Sequence, residues 1–406
     1  MKIVHLTTYY TGGAGIAAIR LHNALLKSGV DSSIIFVQRF ANDKSSINNA
    51  YSLQPYSKIQ RFRIKLFKVF NRQKRALERE FRHCLKLITA ENCTLPVTDN
   101  DPLFLDIIKD ADIIHLHWVS NMIHYPSFFK QLAGKKIAWT FHDLNPIQGI
   151  FHYRNDVINN QAVNHFESKM VDFKARFQNK HCSINVICLN EWMYHEVLNN
   201  GKMRYKTIAV LPNIHSSEVF FNDPELNKAD LNFSSDKINI LIIADNLKNE
   251  RKGAAILKEI FNLNTRFNHL RLHVVGAEFS DSFSNIEVVY HGKINNEDHL
   301  RKIYSGVDFL LLPSLEDNLP NVMIEALLCG TPIIAFRIGG IANVIKDHEN
   351  GILIEPFNIE KLTDVLVNIN NWQFDAASIS KNAAESFDER NITKYITLYN
   401  SINSSL

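Results

Sequence analysis

Residues 313–332 have the sequence PSLEDNLPNVMIEALLCGTP, which is the most informative segment for predicting the fold of this chain. The apolar run Phe309–Leu312 precedes them and is typical of a buried strand. Pro320 suits the first turn of a helix and Gly330 suits the position after its last turn, so the stretch predicts a strand, a polar loop and a helix. The unpaired amide groups at the start of such a helix carry a partial positive charge, which suits a pyrophosphate.

The same stretch carries two acidic residues, Asp317 and Glu325, which are eight positions apart. Eight residues span about two helical turns, so both carboxylates could point to one side and bind the hydroxyl groups of a sugar or a ribose. The alternative is a helix-capping Asp and a solvated Glu. The position of Glu325 between Ile324 and Ala326, on an otherwise apolar helix, argues against that alternative.

Short apolar runs alternate with longer helical patterns through the rest of the chain. Apolar strands separated by helices are typical of parallel sheets covered on both faces, so we predict an α/β fold with two Rossmann-like halves. The polar segment 222–237 is typical of a linker between the halves. The predicted strands are Ile3–Leu6, Ser33–Val37, Ile113–His117, Lys136–Phe141, Asn185–Leu189, Ile208–Leu211, Ile238–Ala244, Leu270–Val275, Ile286–His291, Phe309–Leu312, Pro332–Ala335 and Gly351–Ile354.

Two loops after strands have residues that suit an anionic ligand. The glycines of Thr11–Gly15 let a backbone approach a ligand closely, although a tight turn before a helix would explain them equally well. The loop 244–253 contains Arg251 and Lys252, and a lysine at such a position can reach phosphate oxygens. The alternative for this second loop is a solvated, charged turn.

Two more strand ends carry histidines, in the segments His115–Trp118 and Phe141–Asp143. These histidines lack the H-x-x-x-H spacing of helical zinc sites, so we expect no metal there. A histidine at a strand end could instead bind a sugar hydroxyl.

The formal net charge of the 406-residue chain is +3, which argues against a protein that coats nucleic acid. Residues 58–86 nevertheless hold eleven Lys and Arg against two Glu, so this segment is +9 and the remainder is −6. On a helical wheel the basic residues form one stripe and the apolar residues lie opposite. The candidates for a membrane or acceptor surface are Arg61, Lys65, Lys68, Arg72 and Arg75.

Two interpretations of this basic segment stay open. It is either a surface helix with its apolar side on the first domain, or a contact with an anionic membrane or a lipid diphosphate, worth roughly 1 kcal/mol per basic residue. Nucleic acid is disfavoured because the aromatic and basic residues are segregated. Five cysteines without a C-x-x-C pair, a short apolar N-terminus and no apolar run of about 18 residues predict a cytoplasmic protein.

Together these motifs resemble those of the retaining GT-B glycosyltransferases, in particular the large family four (glycosyl transferases group 1). The resemblance extends along nearly the whole chain. The residues that carry it are the GGAG loop, both histidine strand ends, Pro212-Asn213, Arg251-Lys252-Gly253, His291-Gly292 and the PSLEDNLPN…EALLCGTP block.

The resemblance implies two Rossmann-like domains that face each other across a cleft. We assign 1–215 to an acceptor-side domain, 216–385 to a nucleotide-sugar-binding domain, and 386–406 to a C-terminal helix that could cross back to the first domain. The implied catalytic residues are His142, Asp317, Glu316 and Lys252. The implied donor-binding residues are Gly13, Arg251, Lys252, Ile294, Asn318, Leu319 and Glu325.

Each of these residues has a role by resemblance. Lys252 would neutralise the diphosphate, and Gly13 would approach it from the other domain. Glu325 would hold the ribose hydroxyls, His142 would touch the donor sugar, and Ile294 would lie beside the base. The backbone after Asp317, at 318–319, would contact the donor sugar and phosphates.

Two positions depart from the usual pattern of the family. The first of its paired acids is usually Glu, whereas this chain has Asp317 with Glu316 beside it, so either acid could contact the sugar. Leu247 occupies the position of an Arg that usually precedes the loop lysine, which leaves Arg251 or Lys248 as a substitute.

The implied function is a retaining, metal-independent transfer of a hexose-type sugar from a nucleotide sugar, such as a UDP- or GDP-sugar, to a glycan or lipid-linked acceptor. The expected pathway is cell-surface polysaccharide synthesis (O-antigen, capsule or exopolysaccharide), in the cytoplasm or on the inner face of the plasma membrane. No further cofactor and no nucleic acid partner are expected. The alternatives are a catalytically inactive nucleotide-sugar-binding subunit, which the two departures favour, and a GT-B nucleotide-sugar epimerase, which the GGAG loop and EALLCGTP disfavour.

Overall fold

The computed structural model describes residues 1–37, 47–53, 57–59, 61–62, 71–100, 102–226, 233–244, 249–263, 266–276, 283 and 285–404. The chain forms two compact units, Met1–Pro212 together with Arg390–Leu406, and Asn213–Glu389. The boundaries between the units lie after Pro212 and after Glu389.

The first unit is built around a parallel sheet. Its strands are β1 (Lys2–Thr7), β2 (Asp31–Phe36), β3 (Ala50–Ser52), β4 (Ile113–Leu116), β5 (Lys136–Phe141), β6 (Ile184–Cys188) and β7 (Thr207–Val210). They form a seven-stranded sheet in the order β3-β2-β1-β4-β5-β6-β7. The α-helices between them are Gly12–Lys27, Arg72–Cys84, Asp106–Lys109, Tyr125–Gln131, Arg154–Asn159, Asn164–His181 and Glu191–Asn200, with 3₁₀ turns at Pro102–Phe104 and Gln161–Val163.

Burial explains why these segments are strands. Ile3, Val4 and Leu6 of β1 are all fully buried, as expected for a strand with helices on both faces of its sheet. In β5, Trp139 and Phe141 belong to the main hydrophobic core of the unit. The parallel register pairs His5 of β1 with a histidine of β4, which places imidazole rings side by side inside the sheet.

The second unit has its own parallel sheet. Its strands are β8 (Ile238–Ala244), β9 (Leu270–Gly276), β10 (Glu287–Gly292), β11 (Phe309–Leu312), β12 (Ile333–Phe336) and β13 (Gly351–Ile354), in the order β10-β9-β8-β11-β12-β13. Its α-helices are Ala254–Leu263, Glu297–Gly306, Asn321–Leu328, Ile341–Val344, Ile359–Val367 and Ala376–Phe387, with 3₁₀ turns at Glu250–Lys252, Ile369–Asn371 and Glu389–Asn391. Since β8 and β11 are neighbours, the loops that follow them leave the sheet at the same edge.

The last helix, Ile392–Ser404, packs on the first unit although it follows the second unit in the sequence. Tyr399 is fully buried, and its Oη lies 2.7 Å from Nδ1 of His115. Tyr395 donates a hydrogen bond to the carbonyl oxygen of Pro212 at 3.0 Å. Lys136 of β5 donates to the carbonyl oxygen of Asn403. The C-terminal segment is therefore part of the first unit.

Every predicted strand coincides with an observed strand, within about two residues at each end. The strand Ala50–Ser52 was not predicted, because three residues that include a serine show no apolar run. Within the described residues, every helix is too short or too polar to cross a membrane. All five cysteines are free thiols.

Candidate functional site

Two loops of the second unit come together where β8 and β11 end. The backbone N–H of Leu315 donates to the carbonyl oxygen of Arg251 at 2.7 Å. Gly253 lies two residues after Arg251 and has φ +75. A Cβ at position 253 would overlap the carbonyl oxygen of Pro313. A glycine is therefore required at position 253 for the two loops to approach each other.

The side chains of these loops form a compact charged cluster. Nζ of Lys252 lies 2.6 Å from Oδ2 of Asp317, and Nη1 of Arg251 lies 3.3 Å from the same oxygen. The guanidinium also donates to the carbonyl oxygen of Glu316 at 2.9 Å. Burial raises the pKa of Asp317, but Lys252 and Arg251 lower it more, so that the pKa lies below its usual range. The Asp317 carboxylate thus faces two cations.

The acidic loop is held rigidly around Asp317. Its Oδ1 accepts from the backbone N–H of Asn318 at 3.0 Å, and its carbonyl oxygen accepts from the N–H of Gly340 at 3.2 Å. A Cβ at Gly339 would overlap that same carbonyl oxygen, so the neighbouring loop packs directly on the backbone. The side chains of Glu316, Asn318 and Leu319 are all buried. Asp317 pairs with both cations of the cluster.

Glu325 lies on the helix Asn321–Leu328 and is 5% exposed. Tyr304 donates to its Oε2 at 2.9 Å, and Nε2 of His215 lies 4.0 Å from its Oε1. The alternative of a solvated Glu is therefore wrong. The helix has Pro320 as its N-cap, and Gly330 follows its last turn with φ +82, as the sequence predicts.

Ile294 is separate from the charged cluster in the second unit. It is half-buried on the loop after β10, and β9 lies between β10 and β8 in the sheet. Gly13 lies in the first turn of the helix Gly12–Lys27 in the first unit. The turn before this helix needs its glycines, since Gly12 has φ +74 and a Cβ at Gly15 would lie 2.5 Å from the carbonyl oxygen of Tyr9.

In the first unit, His142 belongs to a hydrogen-bonded row of histidines. Its Nε2 lies 3.1 Å from Nδ1 of His117, whose Nε2 lies 3.0 Å from Nδ1 of His5. Burial lowers the pKa of His142 to about 4. Burial also lowers the pKa of His5 and His117 well below the usual range, and neighbouring imidazoles lower both further. All three rings are therefore neutral at physiological pH.

Asp143, the residue after His142, forms several hydrogen bonds within the first unit. Asp143 Oδ2 accepts from Nε1 of Trp118 at 2.7 Å and lies 2.6 Å from Nδ1 of His152, while its Oδ1 accepts from the N–H of Asn145. Burial raises the pKa of Asp143, but His152 and these donors lower it to a net value below its usual range. These contacts fix the backbone that presents His142. His5 and His152 were missed from the sequence because neither belongs to a recognisable motif.

Only part of the basic segment 58–86 belongs to the described residues. Lys65 and Lys68, as well as Lys248 of the other loop, lie outside them. Arg61, Arg72 and Arg75 are exposed. The helix Arg72–Cys84 contributes Leu77 and Phe81 to a hydrophobic cluster of the first unit, and its Lys74 is buried between Glu78 and Asp99, at 2.5 and 3.0 Å.

Comparisons with known proteins agree with this architecture. Residues 238–371 match the family model described as Glycosyl transferases group 1. An uncharacterized 41.2 kDa protein in the cps region of Klebsiella pneumoniae is 28% identical over 326 residues, which are 74% of this chain and 83% of that protein.

Two solved structures are similar over nearly their whole length. Sucrose-phosphate synthase from Thermosynechococcus elongatus has a TM-score of 0.68 at 17% identity and covers 99% of this chain and 98% of its own. HepE from Anabaena, in complex with UDP and glucose, has a TM-score of 0.66 at 15% identity and covers 99% of both chains. At these identities the likeness shows the fold, which confirms the predicted α/β class with two Rossmann-like sheets. The chain folds like the GT-B glycosyltransferases, and its residues 238–371 match the glycosyl transferases group 1 model.

Proposed function

We propose that this protein is a retaining glycosyltransferase that moves a hexose-type sugar from a nucleotide sugar to a glycan or lipid-linked acceptor. The observation that carries the proposal is the cluster of Lys252, Arg251 and Asp317 at the carboxyl ends of β8 and β11. Ligands of parallel α/β sheets bind at that edge. The cluster also lies within the residues that match the transferase family.

The charges of the cluster suit a leaving nucleoside diphosphate. When the bond between the anomeric carbon and the phosphate oxygen breaks, its electron pair goes to the diphosphate. Lys252 and Arg251 would stabilise that charge, and the amide groups at the start of the helix Asn321–Leu328 would add to it. We propose that these groups do so without a metal ion.

The acceptor then completes the transfer. Its hydroxyl oxygen forms the new bond to the anomeric carbon from the face that the diphosphate leaves, and its proton passes to the leaving phosphate oxygen. The anomeric configuration is thereby retained. We assign the contact with the donor sugar to Asp317 and His142, the ribose hydroxyls to Glu325, and the base to the loop of Ile294.

Glu325 fits the ribose role because its carboxylate is already constrained. Tyr304 holds Oε2, and the buried helix prevents the side chain from turning to solvent. The two oxygens of an ionised carboxylate can accept several hydrogen bonds, which suits a diol.

The name of the Klebsiella pneumoniae relative places it in a cps region, and HepE binds UDP and glucose. These names support cell-surface polysaccharide synthesis as the pathway and a UDP-sugar as the first donor to test. We also propose a cytoplasmic location, which five free cysteines favour.

The test is a thermal-shift screen against UDP-, GDP- and ADP-sugars, followed by an assay of nucleoside diphosphate release. A bound donor at about 100 times its Kd stabilises the folded state by about 2.7 kcal/mol and raises the Tm. We expect one base to raise the Tm and its diphosphate to be released when acceptor is added. A Tm shift without release would favour the inactive binding subunit, and no shift with any donor would contradict the proposal.

We also propose that the basic helix Arg72–Cys84 binds an anionic membrane surface. Its apolar side is occupied by the core of the unit, whereas Arg72, Arg75, Arg79 and Arg82 are exposed. Leu85 and Leu87, directly after the helix, are 46% and 62% exposed. This arrangement favours electrostatic attachment with shallow apolar contact rather than insertion of the helix.

Vesicle flotation tests this second proposal. We expect binding to vesicles that contain phosphatidylglycerol at low salt, weaker binding at high salt, and none to pure phosphatidylcholine. Changing Arg72, Arg79 and Arg82 to Glu should abolish it. The matched control changes the exposed Lys346, Lys361 and Lys381 of the second unit to Glu. Equal loss with both triple variants, or binding to neutral vesicles alone, would contradict the role of the helix.

A further inference from the structure

We infer that His5 and His117 are positioning residues that hold His142 in the tautomer with its proton on Nδ1. The three residues form what we call the histidine relay (His5, His117 and His142). Its two links join Nδ1 of His5 to Nε2 of His117 at 3.0 Å, and Nδ1 of His117 to Nε2 of His142 at 3.1 Å. The consequence for a donor sugar rests on the proposed function, whereas the tautomer itself does not.

The links allow two proton arrangements. A neutral imidazole has one N–H and one lone pair, so each ring in a row donates on one side and accepts on the other. All protons of the relay therefore point the same way. Either His5 donates to His117 and His117 donates to His142, or both bonds run in the opposite direction.

The buried end of the relay selects between the two. His5 is fully buried, and among the described residues its Nε2 has no hydrogen-bond partner. If the bonds ran toward His5, this nitrogen would carry a buried N–H without an acceptor, which is unfavourable. If His5 donates to His117 and His117 donates to His142, Nε2 of His5 carries a lone pair instead. Burying that lone pair costs less free energy than burying an N–H without an acceptor. The relay thus donates to Nε2 of His142 and leaves the proton of that ring on Nδ1.

A metal ion is the competing explanation for this cluster. One ring nitrogen from each of His5, His115 and His117 lies within 4.8 Å of the other two. A metal would need a lone pair from each ring, but Nδ1 and Nε2 of His115 already lie 2.7 and 2.8 Å from the hydroxyls of Tyr399 and Thr140. The hydrogen bond between His5 and His117 occupies two more of these nitrogens. The contacts favour hydrogen bonding over coordination.

The relay makes His142 a hydrogen-bond donor at Nδ1. A neutral ring with that proton can donate to a hydroxyl oxygen of a sugar without adding positive charge to the site. His117 and His5 do not touch the sugar in this scheme. They act through the ring of His142, whose orientation and tautomer they fix.

The direct test is the side-chain NMR spectrum of the full chain labelled with ¹⁵N-histidine. Long-range ¹H–¹⁵N correlations distinguish the two tautomers, and loss of one pattern in His142→Gln assigns the signal. We expect the Nδ1–H pattern for His142, whether or not any sugar nucleotide is a substrate. A pattern with the proton on Nε2 would overturn the inference, and a shift on adding Zn²⁺ would favour the metal site instead.

Two variants of His117 test its positioning role. In His117→Leu, Nε2 of His142 loses its donor, so we expect the His142 pattern to change toward the Nε2–H tautomer. In His117→Asn, the amide can donate from nearly the position of Nδ1, so the wild-type pattern should persist. His273→Asn is the matched control, since His273 is a buried histidine of the second unit that lies 2.9 Å from His291.

The kinetics should follow the spectra. If His142 contacts the donor, His117→Leu should raise the KM of the donor about fivefold, the effect of one hydrogen bond, and His117→Asn should restore it. Equal losses in both variants, with an unchanged His142 pattern, would show that His117 acts only by filling space and would overturn the inference.

Discussion

Nζ of Lys252 lies 2.6 Å from Oδ2 of Asp317, so an ion pair within the protein occupies the carboxyl ends of β8 and β11 in the second sheet. A diphosphate that binds there competes with the Asp317 carboxylate for the same ammonium group. The carboxylate therefore limits how tightly the product is held, and its removal has opposite effects on binding and on turnover.

Asp317→Asn should bind UDP or GDP about fivefold more tightly, because loss of a partly exposed ion pair frees about 1 kcal/mol of cation–phosphate attraction. Turnover should fall, since the carboxylate also aligns Lys252 and Arg251. Isothermal titration of the nucleotide measures the first effect. Asp364→Asn is the control, because Asp364 forms an exposed ion pair with Lys361 at 3.0 Å. Weaker nucleotide binding by Asp317→Asn would contradict this competition.

Lys252→Ala should lower kcat by roughly 100- to 1,000-fold, as removal of a group that stabilises transition-state charge does in other enzymes. Lys252→Arg keeps the charge and should retain part of the rate. Lys361→Ala removes an exposed lysine of the same unit and should leave kcat unchanged. Diphosphate release under saturating donor measures all three, and near-normal turnover of Lys252→Ala would exclude its assigned role.

Gly253→Ala should destabilise the second unit by more than about 2 kcal/mol, because φ +75 strains an alanine and its Cβ would overlap Pro313. Gly292→Ala is a matched control in the same unit. Gly292 has φ +66, but a Cβ added there would have nothing within 4 Å, so only the backbone strain of about 1 kcal/mol remains. Denaturant unfolding compares the two, and equal losses would show that the close approach of the loops contributes nothing.

The first unit should lose stability in mild acid. Burial lowers the pKa of His115 to about 3 and those of His124 and His142 to about 4, whereas the same residues in an unfolded chain bind a proton near pH 6.5. The unfolded state therefore binds more protons between these values, and stability falls as the pH drops from about 6.5 toward 4. Each such group contributes a slope of about 1.4 kcal/mol per pH unit.

Urea unfolding at several pH values measures this slope. His115→Phe removes one of the depressed groups and should reduce the slope by about one proton. A stability that stays constant between pH 6.5 and 4.5 would mean that these rings take up protons without unfolding.

Most of the fold follows from local pattern. Most strands contain a short apolar run, and Phe309–Leu312 is one such run. The helix after it is bounded by Pro320 and Gly330, so its limits could be read from residue type alone. Ala50–Ser52 could not, because its strand character comes from pairing with β2 rather than from its own residues.

The candidate sites depend more on sheet order than on motifs. Lys252 and Asp317 are 65 positions apart in the sequence. They are in contact because β8 and β11 are neighbours in the sheet, although β9 and β10 lie between them in the sequence. His5 had no motif at all in the sequence. Its place beside His115 comes from the register of β1 and β4, and register between distant strands is not encoded in either strand alone.

The return of the helix Ile392–Ser404 to the first unit affects the order in which this chain can fold. Tyr399 is fully buried and Tyr395 and Ile402 are 3% exposed, yet all three are synthesised after the whole of the second unit. During translation, the surface of the first unit that this helix covers therefore stays exposed until the helix is synthesised. His115 lacks its hydrogen bond to Tyr399 for the same time. The second unit, which is continuous in sequence, has all of its residues before the first unit does and can close its core earlier.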